Sequence, residues 1–149
     1  MTKVVLLLVI LTGCAEYGGL WVDTSCSDRE YQLVETAVDK FNAAAGNELV
    51  YVAGWVDEDD FAGVGPGSRD VVRCVPDRGG LVGEVVNDDI FIVSRERDDC
   101  FLGTLMHEMG HLYAGAWHVA DADAIMYQYS SCLTEYNDSD VREFRSRLQ

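Results

Sequence analysis

Apolar side chains recur every three to four residues between Ser27 and Gly46, which is the spacing of one face of an α-helix. Ser27 and Glu30 form a capping-box pattern, in which each side chain binds a free backbone N–H at the start of the helix. Gly46 suits the left-handed turn that ends a helix. The pattern predicts a helix whose apolar face consists of Tyr31, Val34, Ala37, Val38 and Phe41.

Short apolar runs rich in valine and isoleucine, separated by turn residues, predict strands along the middle of the chain. The predicted strands are 20–23, 48–53, 71–75, 81–86 and 90–93, with a loop at 63–67 that contains Pro66. A second apolar helix is predicted at about 99–114, and a last helix begins at Asn137 or Asp138. This order of elements predicts an α+β domain.

The composition indicates one folded domain, which we place at residues 20–149. With 48% hydrophobic residues the chain can build a core. The formal net charge of −15 argues against binding nucleic acid or anionic lipid head groups through charge. It favours cationic substrates, and we expect the domain to act as a monomer.

The first residues predict an export signal. Lys3 precedes an apolar run at 4–11, which is too short to cross a bilayer, since that requires about 20 residues. The sequence Leu-Thr-Gly-Cys that ends at Cys14 resembles the bacterial lipobox. This resemblance implies a signal peptide at 1–13, a lipid on Cys14 and a tether at 14–19. Because Ala15 is not the aspartate of inner-membrane retention, we expect an anchor in the outer membrane or at the cell surface.

Four cysteines remain after Cys14, and an even number in an exported chain predicts two disulfides. Four cysteines allow three pairings. We favour Cys74 with Cys100, because they bracket a predicted hairpin region, and Cys26 with Cys132. The sequence alone does not decide between the three pairings.

All three histidines of the chain fall between His107 and His118. His107 and His111 are four residues apart, so both project from one face of a helix and can bind one zinc ion. Glu108 beside them is placed to accept a proton from water. Gly115 can end the helix, so that His118 returns as a third ligand and the fourth position stays open. The cluster predicts a catalytic zinc site in preference to buried core histidines.

The run from His107 to His118, with Met126 after it, resembles the signature of the metzincin clan of zinc peptidases, most closely the matrixin-like branch. The signature is His-Glu-x-x-His-x-x-Gly-x-x-His followed by a methionine-containing turn. The resemblance implies a zincin-like domain with a twisted five-stranded sheet, a long helix behind it, a metal-binding helix and a C-terminal helix. It also implies that Met126 packs beneath the histidines without binding the ion.

The chain departs from this signature after the second histidine. The signature glycine falls at Ala114, and Gly115 follows, so His118 comes one residue late. One extra helical residue turns the exit by about 100° and lifts it by about 1.5 Å, which a bulge or a tighter last turn can absorb. Asp121 and Glu135 are the alternatives to His118, since related zincins use an aspartate or a later glutamate as third ligand.

Other features of related enzymes are matched less closely. Tyr127 and Tyr129 are candidates for contact with substrate or oxyanion, although the tyrosine of related branches falls at Gln128 here. Residues 73–77 resemble the matrixin cysteine switch but lie inside the domain, so we assign Cys74 to a disulfide. Related enzymes bind calcium, but the acidic clusters lack an ordered calcium-loop pattern and are interpreted as solvated loops. These clusters are 57–60, 88–89 and 98–99.

We therefore expect a zinc-dependent metalloendopeptidase that hydrolyses peptide bonds through a zinc-bound water, with Glu108 as general base. An edge strand before the metal helix, at 90–94, would align an extended peptide by backbone pairing. The alternative is a non-catalytic surface lipoprotein that keeps a zincin fold for binding protein. A purely structural zinc site is disfavoured, because such sites fill all four positions with protein ligands.

Overall fold

The computed structural model describes residues 18–57, 70–76, 79–94, 97–129 and 132–149. Within these residues the chain forms five strands and three helices, in the α+β order expected from the sequence. The elements are β1 (Gly18–Asp23), α1 (Asp28–Ala45), β2 (Val50–Val56), β3 (Asp70–Val75), β4 (Gly83–Val86), β5 (Asp89–Val93), α2 (Asp98–Ala114) and α3 (Asp138–Arg147).

The strands form one sheet in the order β2-β1-β3-β5-β4. All neighbours pair in parallel except β4, which runs antiparallel to β5. The expectation that residues 90–94 form the edge strand is wrong, because β5 lies between β3 and β4. Its run of apolar residues suits a strand with neighbours on both sides, whereas the shorter β4 takes the edge position.

Both ends of α1 form as the sequence predicts. Ser27 and Glu30 make the reciprocal capping box, and Gly46 ends the helix in the left-handed region at φ 80°. The helix contacts α2, and together they cover the sheet face that carries Leu20 and Ile92. This packing holds α2, which carries the histidines, against the core.

The C-terminal helix α3 is capped by Asn137, whose side chain accepts hydrogen bonds from the backbone of Ser139 and Asp140. Its buried Phe144 packs against Phe41 of α1 and against Tyr136. These ring contacts hold α3 against α1 and the core.

The expected disulfide pairings are wrong. Cys26 pairs with Cys74, and Cys100 pairs with Cys132. Cys26 follows β1, and Cys74 lies in β3, which is the parallel neighbour of β1, so the strand order brings these two cysteines together. Cys74 is therefore a disulfide cysteine, as expected, and not a free switch thiol.

The domain begins earlier than the sequence suggested. Gly18 and Gly19, which were assigned to the tether, pair with β2 as the first residues of β1. The signal peptide, Cys14 and the predicted loop at 63–67 lie outside the described residues, so the lipid anchor stays a prediction. Within the described residues, no helix is long and apolar enough to span a bilayer.

Candidate metal centre

The side chains of the three histidines converge. The Nε2 atom of His107 lies 3.0 Å from the Nε2 of His111 and 3.3 Å from the Nε2 of His118. Three nitrogens that bind one tetrahedral zinc at about 2.0–2.1 Å lie roughly 3.3 Å apart. The residues present therefore fit a zinc ion both in donor type and in spacing.

Two of the imidazoles are oriented by backbone carbonyls. The Nδ1 of His107 lies 2.7 Å from the carbonyl oxygen of Ile125, and the Nδ1 of His111 lies 2.8 Å from that of Ala116. A proton on Nδ1 donates to the carbonyl and leaves the Nε2 lone pair free for a metal. Burial lowers the pKa of His107 to about 4 and also lowers the pKa of His111, which favours the neutral, metal-binding form.

Glu108 is buried beside the histidines, with 7% of its surface exposed. Burial raises the pKa of Glu108 to about 7, and the charge of Glu84 on β4 adds to this effect. A carboxyl group with such a pKa can take up and release a proton near neutral pH. Glu84 was not predicted as a site residue, because its place beside Glu108 depends on the packing of β4 against α2.

The extra residue before His118 is absorbed where α2 ends. Gly115 adopts φ 58°, and the N–H groups of both Gly115 and Ala116 bind the carbonyl oxygen of Gly110. A regular helix would bond the Gly115 N–H to His111, so the last turn is widened. Of the two expected adjustments, the bulge is therefore found and the tighter last turn is not, and the bulge brings His118 to the cluster.

The two alternatives to His118 are engaged elsewhere. Asp121 accepts hydrogen bonds from the side chains of Ser139 and Asn137. Glu135 forms an ion pair with Lys40 of α1. Among the described residues, the three histidines form the group whose nitrogen atoms lie close enough together to bind one metal ion.

Met126 is fully buried, and its sulfur lies against Gly110 of α2. A Cβ atom at Gly110 would overlap its sulfur, so the glycine lets the methionine approach α2 closely. The buried carboxylate of Asp140 accepts hydrogen bonds from the backbone N–H groups of Ile125 and Met126 and of Asn137. Asp140 was not among the residues predicted for the site, although its capping-box spacing from Asn137 is a signal in the sequence.

An open cleft of about 650 Å³ lies over the histidines. Its walls include β4 with the residues before it and the segment after Met126. Leu81 and Tyr129 line it while 53% and 65% exposed, and Gln128 lies beside them. Tyr127 instead packs edge-on against the ring of Tyr129, so of the two candidate tyrosines Tyr129 lines the cleft.

The acidic clusters that were considered for calcium are partly neutralised by arginines. Asp89 pairs with Arg73, and Asp98 pairs with Arg29. A second potential ligand group in the described part of the chain combines Asp99 with two cysteines, but these cysteines form a disulfide. Residues 58–60 lie outside the described residues.

Comparison with known proteins gives a match at the level of structure. No protein-family model matches the chain, and no curated protein matches it in sequence. The crystal structure of archaemetzincin from Methanopyrus kandleri matches with a TM-score of 0.64 at 13% identity, over 93% of this chain and 99% of that chain. At this identity the likeness shows the fold. The chain therefore has the α+β, zincin-like fold that the histidine signature implied.

Proposed function

We propose that the chain is a zinc-dependent metallopeptidase that hydrolyses peptide bonds. The observation that carries this proposal is the convergence of three imidazole nitrogens beside a buried carboxyl group, at the floor of an open cleft. The zincin-like fold adds support, because it supplies the helix on which the first two histidines and Glu108 lie. The matrixin-like branch and the lipid anchor are finer parts of the same proposal.

The three histidines would hold the ion, and each neutral Nε2 is a suitable donor. Bound zinc lowers the pKa of a water ligand toward about 7 and polarises a substrate carbonyl. Glu108 accepts the proton of the attacking water and later donates it to the leaving amine. Its burial and the nearby charge of Glu84 give it a pKa suited to both steps.

Substrate would bind along β4. This strand pairs with β5 on one side, and its other edge has no partner strand in the described sheet. An extended peptide can add to such an edge through backbone hydrogen bonds. Leu81 and Tyr129 would contact its side chains from opposite walls of the cleft, and the Tyr129 phenol is placed for contact with substrate.

The test is Glu108→Gln, which keeps the size of the side chain and removes its ability to take up a proton. We expect peptide cleavage to fall by about 10²- to 10⁴-fold while zinc is still bound in stoichiometric amount. Cleavage of a fluorogenic peptide library and metal content would be measured on the same preparations. Glu35→Gln, on the exposed face of α1, is the matched control.

Two outcomes would contradict the proposal. Unchanged turnover in Glu108→Gln with zinc retained would remove Glu108 from the mechanism. A wild-type domain that binds zinc and peptides but cleaves none of the library would favour the alternative, a non-catalytic binding protein with a zincin fold.

A further inference from the structure

His118 differs from the other two histidines in how it is held. His107 and His111 lie on a helix, and each Nδ1 is bound to a carbonyl oxygen. His118 lies on the segment after the helix and is exposed, and its Nδ1 has no hydrogen-bond partner among the described residues. The position of its ring therefore depends on how the backbone beside it is fixed.

Helix α3 contacts the backbone one residue before His118, at Trp117. The backbone N–H of Trp117 donates to Oε1 of Glu143 at 3.1 Å. Oε1 of Glu143 also accepts from Nε of Arg147 at 3.0 Å, and the Arg147 guanidinium lies 5.8 Å from the centre of the Trp117 ring. We call this closed set of contacts between Trp117, Glu143 and Arg147 the α3 latch.

The neighbouring backbone groups explain why a side chain is needed here. The Ala116 N–H binds the Gly110 carbonyl, and the Val119 N–H binds the Met126 carbonyl. The Trp117 N–H between them binds Glu143 of α3, and Trp117 is 69% exposed, so burial of this residue does not anchor the segment. Glu143 therefore anchors a backbone segment that is not held by packing against the core.

The length of the segment makes this tie more important. The widened turn at Gly115 accommodates one residue more than the signature allows between the second and third histidines. A longer connection has more conformations to lose when His118 joins the other two ligands. An external anchor at Trp117 removes part of that freedom before the metal binds.

We propose that Glu143 is a positioning residue for the metal site, which raises zinc affinity by fixing the Trp117 backbone and with it His118. The inference rests on the proposed function, since it concerns the same three ligands. Groups that orient metal ligands typically change affinity by about 10- to 100-fold when removed. Because the latch is partly exposed to solvent, the lower end of that range is expected.

The first experiment compares the zinc affinity of variants by competition with a chromophoric chelator. We expect Glu143→Ala to bind zinc about tenfold more weakly than wild type. Glu143→Gln retains a carbonyl oxygen that can accept from Trp117, so it should recover most of the affinity. Glu35→Ala, which removes an exposed glutamate of α1, is the control and should bind as wild type does.

A double-mutant cycle with His118→Ala separates positioning from a general effect on the fold. Without His118 there is no third imidazole to place, so Glu143→Ala should not weaken the residual zinc binding further. Thermal unfolding of the metal-free variants shows whether each one is folded. Absorption of bound cobalt(II) in the visible region reports the ligand set independently of activity.

The outcomes separate this inference from the proposed function. Wild-type protein that binds no stoichiometric zinc would overturn both. Wild-type affinity in Glu143→Ala would overturn the latch alone. An equal loss of affinity with and without His118 would also overturn it, because Glu143 would then act through the fold.

Discussion

Gly83 on β4 sets how closely the sheet edge approaches the proposed general base. A Cβ atom at this position would lie 2.6 Å from Cγ2 of Thr104, 3.1 Å from Oε1 of Glu108 and 3.1 Å from Cδ1 of Ile92. These atoms belong to the buried side of β4, so an added methyl group cannot turn away into solvent. The glycine therefore allows β4 and α2 to form one wall of the cleft with Glu108 between them.

We expect Gly83→Ala to lower peptide turnover by about 10- to 100-fold, because a displacement of roughly 1 Å at a catalytic group has effects of this size. Adding Thr104→Ser removes the nearest clashing methyl group and keeps the hydroxyl that donates to the Cys100 carbonyl. The double variant should therefore recover much of the turnover. Steady-state kinetics and zinc content would be measured for both.

Thr104→Ser alone is the control for this prediction and should retain wild-type turnover. Turnover in Gly83→Ala equal to that of wild type would show that β4 can move without disturbing Glu108. A double variant no better than Gly83→Ala would place the effect elsewhere than at the Thr104 contact.

At the level of single residues, the sequence predicted what depends on local spacing. The positions of His107 and His111 and the capping role of Ser27 follow from the period of a helix and from its free N–H groups. Gly83 and Glu143 could not be found in this way. Their roles depend on distances between elements that are far apart in the chain, and no local pattern encodes those distances.

Helix α3 supports the candidate metal centre through a second contact at the level of elements. The buried carboxylate of Asp140 accepts from the N–H groups of Ile125 and Met126 at 3.0 and 2.8 Å. The Ile125 carbonyl in turn binds the Nδ1 of His107. A helix that is remote in sequence thus holds the methionine turn, and the turn orients the first histidine.

We expect Asp140→Ala to lower the free energy of unfolding by at least about 2–3 kcal/mol, because it leaves buried N–H groups without an acceptor. Zinc affinity should fall as well, since the turn that orients His107 loses its anchor. Urea unfolding of the metal-free protein and chelator competition measure the two effects. Asp138→Ala, an exposed aspartate in the same first turn, is the control, and a loss no larger than the control's would contradict this account.

The sequence predicted the elements themselves better than their arrangement. Five strands and three helices form in the expected order, with ends that differ by a few residues. The choice of edge strand was wrong, because apolar periodicity reports burial but not which strands are neighbours. The disulfide pairing failed for the same reason, since it follows from the adjacency of β1 and β3.

In the whole molecule, the two disulfides hold different parts of the fold. Cys26–Cys74 joins the end of β1 to β3, inside the core and away from the cleft. Cys100–Cys132 joins the first turn of α2 to the segment that follows Tyr129. Gly103 and Thr104 follow Cys100, Gln128 and Tyr129 precede Cys132, and all four residues line the cleft, so this disulfide joins two segments that contribute to the cleft.

The two bridges should therefore contribute similarly to stability but differently to function. Their sequence separations are 48 and 32, and the chain-entropy model gives about 4 kcal/mol for either loop. We expect the double alanine variants Cys26→Ala/Cys74→Ala and Cys100→Ala/Cys132→Ala to lose comparable free energy of unfolding. Only the second should raise KM, because it releases the cleft wall that carries Tyr129. Denaturant titration measures the loss of stability, and peptide kinetics under conditions where both variants are folded measure KM. An equal rise of KM in both variants would contradict this prediction, because the cleft would then respond to overall stability and not to the disulfide beside it.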